Sequence, residues 1–140
     1  MMHTSTLRVR YAETDAMGVV HHAAYVPWFE VGRVNLLRAA GCPYGDIEAR
    51  GLLVVLSDLQ VRYRSPARFD DEVVIETQLI TLKSRQISFR YRALLATTAT
   101  ILVEGQTNHI VVLRVTMKPT VLPVDLSVLL QPWLTTEFFA

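Results

Sequence analysis

One apolar helix set ahead of four period-two segments limits this chain to a small group of folds. Across residues 25–40, Tyr25, Phe29, Gly32, Leu36 and Ala40 recur at spacings of three and four, the repeat of one helix face. Trp28, Val31, Leu37 and Ala39 widen that surface well beyond one stripe, so the helix is expected to be largely buried. Pro27 suits its first turn, where the missing N–H costs nothing, and Gly41 is placed as its C-terminal stop. Gly32 in mid-helix costs roughly 1 kcal/mol against alanine, which makes sense if another element packs close against it.

After a short helix or turn at residues 43–50, the chain changes period. Residues 52–63, 72–82, 85–96 and 101–115 each read as a strand. The third is the most regular: Ile87, Phe89, Tyr91 and Ala93 alternate with Ser88, Arg90 and Arg92. Runs such as Leu52 to Leu56 and Ile110 to Leu113 suggest burial on both faces. A further strand over residues 7–11, where Leu7, Val9 and Tyr11 alternate with arginines, precedes the helix. Links of a few residues favour antiparallel neighbours. One strand, one buried helix and four more strands make an α+β arrangement.

A chain of 140 residues is read as one domain, with no internal repeat or linker. Its 51% hydrophobic and 19% charged content is more apolar than usual, an excess often absorbed at a subunit interface, so an oligomer is expected. A net charge of +1 gives no general case for binding nucleic acid or membranes. A single cysteine, Cys42, excludes an internal disulfide and is compatible with a reducing cytoplasm. The first six residues hold no apolar run, and no stretch reaches the length of a membrane span. The chain therefore reads as soluble, unprocessed and cytoplasmic. Without a phosphate loop or a dinucleotide fingerprint, neither ATP nor a nicotinamide cofactor is supported.

The chemistry concentrates in the run from Tyr11 to Glu30, YAETDAMGVVHHAAYVPWFE. It leaves a strand, turns at Ala16, Met17 and Gly18, and enters the helix. Helix starts carry unpaired N–H groups and a partial positive charge, suited to an anion or a developing oxyanion. Asp15 just upstream is a candidate base or nucleophile, although an aspartate there also suits a plain turn. His21 and His22 are adjacent and point apart, while Cys42 and His109 show no ligand spacing, so no metal is expected. His109 reads as a structural histidine, Cys42 as a buried thiol, and Glu30 with Arg33 as a candidate helix-face ion pair.

That run resembles the signature of the 4-hydroxybenzoyl-CoA thioesterase-like hotdog proteins, and most of all their Tol-Pal-associated acyl-CoA thioesterase branch. Two later segments fit as well: YRSPARFDD at residues 63–71, and the Met117–Lys118–Pro119 stretch followed by Leu122 and Pro123. The likeness spans about residues 6–123, leaving 124–140 as a tail. It implies a hotdog fold, a curved antiparallel sheet around one long helix, and hydrolysis of an acyl-CoA to acid and free coenzyme A. On this resemblance Asp15 is the catalytic carboxylate, the His22 backbone N–H polarises the thioester carbonyl, and the His22 imidazole and Tyr11 belong to the active site.

The resemblance places substrate against Gly18, His21 and Tyr25, and the coenzyme A nucleotide near Arg64, Ser65, Pro66 and Arg68. Coenzyme A enters as part of the substrate and no separate cofactor is implied. Relatives of this kind pair into dimers or tetramers. Ala12 departs from the acidic residue often found there. Two rival functions share the fold: a non-catalytic acyl-binding protein, and a dehydratase or hydratase whose Asp–His motif is not found here.

Overall fold

The computed structural model describes residues 1–139. Five strands form one antiparallel sheet: β1 (Met2–Arg8), β2 (Leu52–Tyr63), β3 (Glu72–Leu82), β4 (Gln86–Leu95) and β5 (Ile101–Leu113), in the spatial order β1-β3-β4-β5-β2. The central helix α1 (Tyr25–Ala39) lies across one face, mainly over β1 and β3. Two shorter helices, α2 (Tyr44–Ala49) and α3 (Val124–Leu130), complete the fold. This is the expected hotdog arrangement.

Register explains which side chains meet the helix. Thr77 pairs with Tyr91 and Tyr91 with Gly105, while Leu79 pairs with Phe89 and Phe89 with Thr107. These positions, with Ile75, Ile87, Ala93, Val103 and His109, are all fully or almost fully buried or, for Gly105, covered by Phe29. The Phe29 ring stacks on Tyr91 at 4.6 Å, and a Cβ at position 105 would collide with it. Gly32 sits tightly over Thr77 and Ile75, as its mid-helix position suggested. The opposite face is polar: Arg92 pairs with Glu76, Arg90 donates to Gln106, and Asn108 donates to Asp58.

Four expectations change. The first strand does not span residues 7–11; it begins at Met2 and pairs with β3 from Met2↔Gln78 to Arg8↔Glu72. His3, Ser5 and Leu7 face inward, and the most buried of them, Ser5, accepts from Asn35 of α1, so largely polar alternation builds the strand where an apolar pattern was sought. Tyr11 instead opens a one-turn 3-10 helix, Tyr11–Glu13. The run Leu52–Leu56 is not buried on both faces, because β2 is an edge strand and Leu56 is 48% exposed. Helix α1 is covered on one face, with Glu30, Val31, Arg38 and Ala39 exposed. Among the described residues Arg33 forms no ion pair with Glu30; its charge acts on Tyr91 and His109 instead.

The tail is built into the fold. Leu126 and Leu130 of α3 are buried, and Arg50 at the end of α2 forms a paired contact with Asp125. Thr135 N–H then donates to the Leu79 carbonyl beside β3. Phe138 and Phe139 lie under the Arg90 and Arg92 guanidinium groups, at 4.2 and 4.7 Å, on the polar sheet face.

Candidate active site at the start of the helix

Residues 13–21 form a small closed loop. His21 N–H donates to the Glu13 carbonyl at 2.8 Å, Val20 bridges Thr14, and Asp15 N–H donates to the Val19 carbonyl at 2.9 Å. The tip turns at Gly18, whose φ of +77° lies in the left-handed region that favours glycine. The loop's two legs set Asp15 near the tip and His21–His22 at the entry to α1.

Asp15 is half-buried. Its Oδ1 accepts the Met17 N–H at 2.8 Å, the side-chain turn that aspartate favours. Oδ2 takes no hydrogen bond among the described residues, so the turn engages only one oxygen of the carboxylate. On the other leg, a 3-10 turn at His22–Ala24 leads directly into α1. His21 Nδ1 accepts the Ala23 N–H at 3.2 Å, and Ala24 N–H donates to the His21 carbonyl. The His22 N–H has no partner among the described residues. It is the first open donor at the positive end of the helix stack.

The remaining expected residues divide by position. The His21 and His22 rings are exposed and, rather than pointing apart as expected, lie 4.1 Å from each other. Tyr11 is 77% exposed and meets Phe69 edge-on at 5.5 Å. Tyr25, expected at the substrate, is turned inward: it is 3% exposed, and its hydroxyl accepts the Ala67 N–H at 3.2 Å. Burial pushes its phenol above the usual value, so it stays neutral and holds the 64–68 segment against the helix. Ser65 is half-buried, Pro66 and Arg68 are exposed, and Arg64 pairs with Glu104 at 3.0 Å. Burial likewise pushes the Cys42 thiol up, which argues against a nucleophile there.

Three contributors were not singled out in the sequence. Tyr63, at the end of β2, donates to the His22 carbonyl at 2.7 Å and packs edge-on against Tyr25 at 5.7 Å. Glu13 is buried, with Oε1 accepting from Arg10 N–H at 2.8 Å and Oε2 from Trp28 Nε1 at 2.7 Å. Its partner Trp28 sits in the first turn of α1. The acid beside Thr14 and Asp15 was in plain view, but its value depends on an indole fifteen residues later.

A single antiparallel sheet with one crossing helix, and a loop that carries a carboxylate on one leg and leads to that helix's open N–H on the other, define a hotdog domain with a candidate hydrolytic site. The chain belongs to the thioesterase-like superfamily, which matches residues 9–134. It is 34% identical over 117 residues to an acyl-CoA thioester hydrolase, YbgC, of Escherichia coli O6:H1, covering 84% of this chain and 87% of that one. A crystal structure of a hypothetical protein, TT1821, from Thermus thermophilus superimposes with a TM-score of 0.87 at 38% identity, covering 93% of this chain and 98% of the other. A 1,4-dihydroxy-2-naphthoyl-CoA thioesterase from Synechocystis shares the fold with a TM-score of 0.85 at 19% identity, covering 94% and 96%.

Proposed function

We propose that this protein is an acyl-CoA thioesterase in which Asp15 supplies the attacking or water-activating carboxylate. Its one uncommitted oxygen, Oδ2, and the unpaired His22 N–H on the facing leg of the same loop carry the proposal. A thioester carbonyl polarised by an N–H at a helix start is open to attack. A carboxylate beside it either activates water or forms a mixed anhydride that water then cleaves. The likeness to an acyl-CoA thioester hydrolase supports the same substrate class.

The His22 imidazole and Tyr11 are proposed to stand at the reacting group, with Gly18 and His21 lining the acyl side. Arg64, Ser65, Pro66 and Arg68 are proposed to face the coenzyme A nucleotide, and no separate cofactor is required. Tyr25 serves this site through the Ala67 backbone. The site is open in one chain, with Tyr11 and Met17 each more than three-quarters exposed, and β2 presents a twelve-residue edge with Leu56, Leu59 and Tyr63 exposed. A long unpaired edge of that kind invites pairing with another strand. A homo-oligomer that completes the site, in the cytoplasm, is therefore part of the proposal.

A panel of aliphatic and aromatic acyl-CoA thioesters, followed by release of free thiol, tests the assignment. Turnover of at least one member is expected. Binding without thiol release would leave an acyl-CoA-binding protein, and hydration of an enoyl-CoA would leave a hydratase.

A further inference from the structure

We infer that Glu13 is a positioning residue, the hub that clamps both legs of the loop, the one bearing Asp15 and the one leading to the His22 N–H, to α1. The inference rests on the thioesterase reading and deepens it. A carboxylate buried this far is costly unless it is fully hydrogen-bonded. Only 8% of the Glu13 side chain is exposed, and it receives the Arg10 N–H at 2.8 Å, the Trp28 indole N–H at 2.7 Å and the Arg10 guanidinium at 3.5 Å.

The contacts divide by destination. Through Arg10 N–H the side chain closes the 3-10 turn that leads to Thr14 and Asp15. Through Trp28 it grips the first turn of α1, where Trp28 also packs edge-on against Tyr25 at 4.7 Å. Through its own carbonyl Glu13 receives His21 N–H, one residue before the proposed oxyanion donor. Asp15 lies two residues further on, so one residue governs the spacing of both reacting groups. Displacement of such groups by about 1 Å can cost on the order of a hundredfold in rate.

Glu13→Gln keeps the shape but sets an amide NH2 against one of the two N–H donors. Trp28→Phe keeps a ring and removes only the indole donor. If Glu13 positions the reacting groups, both variants should fold. For the best thioester in the panel, kcat should fall at least about tenfold while KM stays within about twofold. Exchange of the His21 backbone amide, followed by NMR, should accelerate by at least about tenfold as the loop opens.

A folded Glu13→Gln protein with wild-type kcat overturns the inference, as does a loss of kcat with unchanged His21 exchange. Should Glu13→Gln fail to fold, Trp28→Phe decides by the same criteria. The exchange measurement does not depend on catalysis. If the wild-type chain cleaves no thioester, the thioesterase reading falls, and His21 exchange still decides whether Glu13 clamps the loop.

Discussion

Gly32 of α1 rests directly on Thr77 of β3: a methyl group at position 32 would fall inside contact distance of the Thr77 hydroxyl oxygen and press on the Ile75 side chain at 3.1 Å. The hydroxyl is buried and has no hydrogen-bond partner among the described residues. Helix and sheet therefore approach each other at a point where neither offers spare volume. Gly32→Ala should destabilise the protein by about 1–3 kcal/mol, the usual penalty of overpacking, despite alanine's better helix propensity. Chemical denaturation measures it. Pairing it with Thr77→Ala should recover part of the loss, and a single variant as stable as wild type would mean the helix has room to lift.

Asp15→Asn separates the turn that this side chain makes from the chemical role proposed for it. Asparagine can still accept the Met17 N–H and keep the turn, but it carries no negative charge. Turnover should fall by at least about a hundredfold with folding and substrate binding retained. His22→Ala leaves the backbone N–H in place, so a smaller loss is expected. Near-wild-type turnover in the asparagine variant would remove Asp15 from the mechanism.

Arg64 and Arg68 are proposed to hold the nucleotide phosphates. Changing either to alanine should raise KM more than it lowers kcat, the signature of lost uniform binding. The pairing of Arg64 with Glu104 is solvent-exposed, so breaking it should cost little stability. With a small thioester that lacks the nucleotide the effect should shrink. Equal losses on both substrates would move these arginines away from coenzyme A.

His109 predicts an acid-side loss of stability. Burial first, and the nearby Arg33 charge second, push its imidazole down from 6.5 to about 4. Between those values the unfolded chain takes up a proton that the folded chain refuses. The folded state therefore weakens as pH falls from 6.5 towards 4, by on the order of 3 kcal/mol in full, and pays no such penalty above 6.5. His109→Gln keeps a polar group for Thr107, whose hydroxyl lies 2.8 Å from the imidazole, and cannot titrate. Urea denaturation at pH 7 and pH 4.5 should show the variant losing less than wild type, whereas equal losses would show that His109 titrates normally.

The exposed edge of β2 gives the assembly test. Light scattering at micromolar concentration should show a dimer or larger species. Leu56→Lys, which places a charge on the exposed part of that strand, should weaken it and lower activity in parallel. A fully active wild-type monomer would sever assembly from the site.

Much of this molecule was legible in its sequence, for identifiable reasons. The bounds of β2 and β3, and the stop of α1 at Gly41, follow from side-chain period and from residues whose backbone preferences are local. Strand β1 escaped because Thr4, Ser5 and Thr6 alternate without an apolar signal, and their order comes from pairing with β3 and from Asn35. The tail escaped although Leu126 and Leu130 have helical spacing, because its helix is short and its anchor, Arg50, is 75 residues away. At the candidate site, the loop that carries Asp15 and leads through His22 into α1 lies in one contiguous run. Glu13 and Tyr63 could not be singled out, since their roles are contacts with Trp28 and the His22 carbonyl that no local pattern encodes.

The docked tail sets the terms on which the protein can be immobilised or fused. Because Phe138 and Phe139 are clasped by Arg90 and Arg92 on the sheet face away from α1, the chain reaches residue 139 at the molecule's back, with the sheet between that point and the helix. An N-terminal label would instead prolong β1, an edge strand whose first pair is Met2↔Gln78. For attachment to a surface or to a second protein, the C-terminus is the end that leaves the sheet's pairing undisturbed.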